Sequence, residues 1–322
     1  MTHTLSPDTG AAMDLPQDAL PPACVLCFNA NDPSGAGGVG GDMATIAAMG
    51  AHALPVITTL LLRDTAEIFD QHPIDAEVIV EQARNILEDV TLSGFKVGFL
   101  GSAENISAVA EILSDYAEVP VVSYLPNLSW MDDDAQQSYL EAFRELILPA
   151  TEVLIGNHKT LTDFLLPDWE SDRPASPREL AVAAAERGTP LLLVTGVMLP
   201  LRGAGATQFI DNVLASAQGA ITGEKFELFE VGFIGAGETL SAAMAVLLSV
   251  GSEVHAAVGE ALQFLDQSLD AGFRPGMGNV IPDRFFWAIP PEEEGLEGEE
   301  LLTPDAANDP PNNKNGGPRR VH

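Results

Sequence analysis

Two glycine-rich segments, about 200 residues apart, carry the residue types best suited to chemistry. The first, Asn31-Asp32-Pro33-Ser34-Gly35-Ala36-Gly37-Gly38, ends an apolar run and opens a helical pattern, with Asp42 one turn inside. Glycines there let a ligand approach the backbone, and Asp42 can present a carboxylate towards it. The second is Gly235-Ala236-Gly237-Glu238-Thr239-Leu240-Ser241. A glycine-rich turn feeding a helix of small residues gathers free N–H groups at the positive end of a helix dipole, which binds phosphate without lysine. Glu238 stands where it can accept a proton from an attacking hydroxyl.

The elements that must position these segments alternate. Cys24–Phe28 reads as a buried strand and 38–49 as a helix. Ala53–Leu62 reads as a strand, 76–89 as a helix, Gly94–Leu100 as a strand and 103–115 as a helix. Val119–Ser123 and Glu152–Ile155 read as strands around a helix over 134–147. Helices near 159–166 and 177–187 precede the strand Leu191–Thr195. Residues 206–231 alternate like a hairpin, and helices near 237–249 and 253–271 close the pattern. Strands alternating with helices predict an α/β fold with a mostly parallel sheet covered on both faces; the hairpin adds antiparallel strands at one edge. One domain over 23–289 is expected, between tails at 1–22 and 290–322 that are too polar and Pro/Gly-rich to order themselves.

Composition narrows the function. Among 322 residues there are 47 acids and 15 bases, a net charge of −32, and only four lysines. Residues 23–289 alone hold 36 acids and 12 bases, so the acidity belongs to the body and suggests adaptation to high salt. Such a chain is poorly suited to gripping nucleic acid or anionic membranes. Nothing reads as a signal peptide or a spanning segment, so a cytoplasmic protein acting on a small molecule is expected.

Weaker motifs carry less. Gly35, Gly37 and Gly40 satisfy G-x-G-x-x-G, but no acidic residue follows about 20 positions later to hold a ribose. Cys24 and Cys27 form C-x-x-C inside a strand, where residues three apart face opposite sides. They read as small buried residues. The six scattered histidines predict no metal site.

In order along the chain, Asp32-Pro-Ser-Gly, Asp42, Val56-Ile-Thr-Thr-Leu, Phe95-Lys-Val-Gly-Phe-Leu, Leu154-Ile-Gly-Asn157, Leu193-Val-Thr-Gly196 and Gly235-Ala-Gly237 resemble the ribokinase-like superfamily. Within it, the likeness is to the hydroxymethylpyrimidine/phosphomethylpyrimidine kinases of thiamine synthesis. The resemblance implies a three-layer ribokinase-like fold and an ATP-dependent kinase using Mg²⁺. It implies substrate at Ala30, Asn31, Asp42 and Arg63, and nucleotide at Asn157, Thr195 and Gly196. Gly235, Ala236 and Gly237 would form an anion hole, with Glu238 as base. A homodimer is compatible with it.

Departures are specific. Glu238 replaces the family's Cys or Asp, Arg63 its ring-reading Gln, Thr195 its phosphate-side Lys and Thr160 its magnesium-side Glu. Ser123-Tyr124-Leu125-Pro126 replaces an Asp-Pro-Val-Met loop. Two alternatives therefore accompany the kinase reading: a ribokinase-like ligand-binding protein without transfer, and a pyridoxal-type kinase. Arg63 follows an apolar run, so it is expected at a strand end facing the cleft. There it would pair with Asp42 or bind an anionic group; the competing expectation is a surface pair with Asp64 or Glu67.

Overall fold

The structure is a computed structural model, and it describes residues 21–201 and 207–288. Both expected tails lie outside these, apart from Pro21 and Pro22. Contacts divide the chain after Phe286, and the unit up to that residue carries the fold.

Nine strands form one sheet in the order β3-β2-β1-β4-β5-β6-β7-β8-β9. The central strand, β1 (Cys24–Asn31), is buried almost throughout, as expected for an apolar run covered on both faces. β2 (His52–Arg63) and β4 (Gly94–Val97) flank it in parallel, and β5 (Val121–Leu125), β6 (Val153–Asn157) and β7 (Leu191–Met198) continue that direction. β8 (Phe209–Ser216) and β9 (Gly219–Glu227) form the expected antiparallel hairpin. The opposite edge is also antiparallel: β3 (Ile68–Pro73) folds back on β2. The sequence reading missed this strand because IFDQHP neither alternates nor lacks a proline, a pattern that suits only an edge.

Helices cover both faces. α1 (Gly38–Ala48), α7 (Ala236–Ser249) and α8 (Val254–Asp270) lie on one. α2 (Ala76–Leu87), α3 (Ala103–Ser114), α4 (Asp133–Ala142), α5 (His158–Leu165) and α6 (Pro177–Ala185) lie on the other. Sequence marks their starts. Ser102 caps α3 through the Asn105 N–H at 3.2 Å, and Ser176 with Glu179 forms a capping box ahead of Pro177 in α6. The expected helix over 134–147 is instead α4 followed by a wider π turn, Phe143–Ile147, just before Pro149. Helix α7 is buried on every side from Thr239 to Leu248, because alanines let it lie close against the sheet. Cys24 packs on one sheet face and Cys27 on the other, and both are free thiols.

Candidate active site

A cleft of about 850 Å³ opens at the carboxyl ends of the parallel strands, where open α/β sheets bind ligands. Its floor holds a buried polar network. The Lys96 side chain, on β4, is fully enclosed; its Nζ lies 2.9 Å from Asp42 Oδ1 as an ion pair and also bonds Glu238 Oε2. Asn29, on β1, uses all its bonding capacity here. Its Nδ2 donates to Asp42 Oδ2 at 2.8 Å and to Glu238 Oε2 at 3.0 Å. Its Oδ1 accepts the N–H groups of Ala30 and Phe99, at 2.9 and 3.0 Å. Two carboxylates about 200 residues apart in the chain are thus bridged by one lysine and one amide.

The electrostatics follow from burial. Burial, opposed by Lys96 and assisted by Glu238, pushes the Asp42 carboxyl up to about 6. Burial works against charge on Lys96 as well, but its two carboxylate partners outweigh that and hold it protonated well above the ordinary lysine range. Burial together with the nearby Glu238 charge raises the Tyr124 phenol, which stays a hydroxyl.

Glu238 lines the cleft, and both its named contacts fall on Oε2. It stands in the first turn of α7, whose N-cap Gly235 adopts φ +83° and has no side-chain capping bond. A Cβ on Gly235 would overlap the Ala36 carbonyl, and one on Gly237 would enter the Tyr124 ring. Only glycine permits both approaches, so the two glycine-rich segments meet directly. On the first segment, Asp32 accepts from the Gly37 N–H at 3.1 Å and from the Ser34 hydroxyl at 2.6 Å. A second, largely apolar cavity of about 390 Å³ adjoins the cleft, sharing Asn157, Thr195, Phe233, Ala236 and Gly237 with it. Phe226, Phe229, Leu262 and Leu265 also line it.

The sequence profile described as phosphomethylpyrimidine kinase matches residues 32–283. The chain belongs to this family. It is 26% identical over 278 residues to a hydroxymethylpyrimidine/phosphomethylpyrimidine kinase of Streptomyces coelicolor, covering 86% of this chain and 99% of that one. It is 27% identical to the thiamine biosynthetic bifunctional enzyme TH1 of Arabidopsis thaliana, across 81% of this chain and 49% of that one. Among solved structures, the Bacillus subtilis pyridoxal kinase in complex with ADP superposes with TM-score 0.70 at 20% identity, covering 84% of this chain and all of the other. The phosphomethylpyrimidine kinase of Clostridium difficile 630 superposes with TM-score 0.60 at 19% identity, covering 77% and 99%. The expected ribokinase-like fold is what these likenesses share.

The residues expected from sequence fall into three groups. Ala30, Arg63, Gly235, Ala236, Gly237, Glu238, Asn157 and Thr195 line the cleft, and Gly196 lines the adjoining cavity. Asp42 does not reach the cleft surface: it is fully buried behind Asn29 and Lys96, because its helix turns it towards the sheet. Asn31 is exposed and outside the cleft lining, at the end of β1 beyond a register irregularity between Asn29 and Asn31. Arg63 faces the cleft, but its partner is neither Asp42 nor the Glu67 carboxylate. Its Nη1 pairs with Asp32 Oδ2 at 3.3 Å, while Nε donates to the Asp64 carbonyl at 2.9 Å.

Sequence reading gave no role to Asn29, Lys96, Tyr124 or Arg284. For the first two the signal was present: a lysine inside FKVGF and an asparagine inside CVLCFN sit in strands otherwise apolar, and buried polar groups require partners.

Proposed function

We propose that this protein transfers the γ-phosphoryl group of ATP to the hydroxymethyl group of a pyrimidine, hydroxymethylpyrimidine or its monophosphate, in thiamine biosynthesis. The observation that carries this reading is the placement of Glu238: a carboxylate held by Asn29 and Lys96, in the first turn of α7, where cleft and apolar cavity meet. The substrate ring lies in the cleft among Phe99, Trp130 and Tyr124, near Ala30 and Arg63. The nucleotide lies over the apolar cavity, with its phosphates towards Asn157, Thr195 and the N–H groups of 235–238. The hydroxyl oxygen bonds to the γ-phosphorus, the bond to the β-phosphate bridging oxygen breaks, and Glu238 takes the hydroxyl proton. Backbone N–H groups at the start of α7 stabilise the charge on the transferring group.

Magnesium fits this reading as the counter-ion of the nucleotide, neutralising phosphate charge. No three His, Cys, Asp or Glu side chains converge among the described residues, and an ion that keeps its water and binds through phosphates needs no such cluster.

The test is ATP consumption with the pyrimidine alcohol, comparing wild type with Glu238→Ala. Equal rates remove Glu238 from the mechanism. Calorimetry with ATP-Mg²⁺ separates a kinase from a binding protein: small-ligand binding without nucleotide binding at millimolar concentration favours the latter. A pyridoxal-type substrate is the second reading, favoured by Arg63, which offers donors only and suits a ring bearing an acceptor or anion. Running the assay with pyridoxal decides between them.

A further inference from the structure

The segment after α8 returns to the cleft and ties its walls together. The Gly278 and Asn279 N–H groups bond Thr65 Oγ1 and the Thr65 carbonyl at 3.1 and 2.9 Å, pinning the loop behind Arg63. Val280 bonds Gly232 and Ile234, both at 3.0 Å, pinning the approach to the glycine turn. The Asp283 N–H then anchors the segment to the Ser268 carbonyl of α8 at 2.8 Å. Arg284 completes it. Its Nε donates to Thr239 Oγ1 at 3.1 Å, Nη1 to the Gly35 carbonyl at 3.4 Å and Nη2 to the Ala36 carbonyl.

Arg284 is only 5% exposed, and enclosing a guanidinium is costly unless its donors find partners. These three bonds go to a hydroxyl and two carbonyls, none to a carboxylate; Asp42, Glu238 and Asp32 act on it through their field, opposing the effect of burial. A planar fork can hold two successive carbonyls of one loop and a hydroxyl of another at once, which an ammonium cannot. The loops so joined are the ones between which the proposed reaction runs. Thr239 follows Glu238 and itself bonds the Gly235 carbonyl at 2.9 Å, while Gly35 and Ala36 lead the substrate-side turn.

We propose that Arg284 is a positioning residue for phosphoryl transfer, fixing the spacing between the substrate-side glycine loop and the anion-binding turn. This rests on the kinase reading above. Reacting atoms must be held at about 3–3.5 Å, and a displacement near 1 Å costs about 100-fold in rate. Arg284→Ala and Arg284→Lys are therefore expected to lose about 100-fold in kcat, while ATP and the pyrimidine alcohol, each titrated alone by calorimetry, keep Kd values within about threefold. Methylguanidinium should restore part of kcat to Arg284→Ala at an unchanged folded fraction and none to Glu238→Gln, a rescue that a merely structural role would not give. A folded Arg284→Ala with wild-type kcat overturns the positioning role alone, as does a loss that only tracks the folded fraction and resists rescue. A wild type that neither binds nor consumes ATP overturns the kinase reading, and this inference with it. Should Arg284→Ala not fold, Thr239→Val removes one of the three acceptors and carries the test; an undiminished kcat there overturns the proposal.

Discussion

Lys96 and Asp42 form an ion pair at 2.9 Å with neither side chain exposed, at the floor of the cleft. Lys96 also serves Glu238, so its one positive charge stands between two acids that would otherwise repel each other. Lys96→Met strands both, and breaking a buried pair from one side costs about 3–5 kcal/mol. Urea unfolding should show that loss, and adding Asp42→Asn to Lys96→Met should recover part of it. A double variant less stable than the single one would contradict this account.

A pH effect follows from Asp42, whose carboxyl is raised from the ordinary 3.8 to about 6. A raised acid favours the folded state while protonated. Its stabilising contribution is therefore complete below about pH 3.8 and disappears as pH rises through about 6. Activity should run the other way. When Asp42 takes a proton it releases its hold on Lys96, and the ammonium is then left to Glu238 alone, tying up the carboxylate proposed to receive the hydroxyl proton. The acid limb of kcat should inflect near pH 6 and lose that inflection in Asp42→Asn. An identical acid limb in both proteins rules this out.

Arg63 makes one carboxylate contact, to Asp32, and faces the cleft. If it also reads an anionic or acceptor group on the ligand, Arg63→Gln should weaken an anionic ligand by about 1.5–3 kcal/mol. The same change should spare or improve a neutral pyrimidine. Titrating both proteins with both ligands measures this, and unchanged affinities throughout would leave Arg63 as a tether for Asp32 only.

Salt should stabilise this chain. With a net charge of −32, self-repulsion is large and is screened by molar KCl, whereas the enclosed Lys96–Asp42 pair is screened far less. The thermal midpoint should climb from low salt to molar KCl. A flat or falling midpoint would make the acidity incidental.

Much of the fold was legible because alternating apolar runs and helical periods dictate a covered parallel sheet. The edge strand β3 was not, since Ile68–Pro73 has no pattern of its own and exists only by pairing with β2. Glu238 and the glycine turns were legible from residue type and spacing. The Asp42 side chain was assigned to the cleft because a helix one turn in can point either way, and only packing chose inward. Arg284 lies in a stretch, Pro282-Asp283-Arg284-Phe285, with no local signature; its role exists only through contacts with residues far earlier in the chain.

That distance has a consequence for how the protein is made. Arg284 and Gly35 lie 249 positions apart, so the strut between the two glycine loops cannot form until nearly the whole fold has left the ribosome. At about 5–20 residues per second, the first loop waits roughly 12–50 seconds for its partner. Throughout that interval the nascent chain holds the substrate-side loop without its strut. Activity should accordingly appear only once Arg284 has emerged, and a chaperone delay should show directly as a lag in the first turnover.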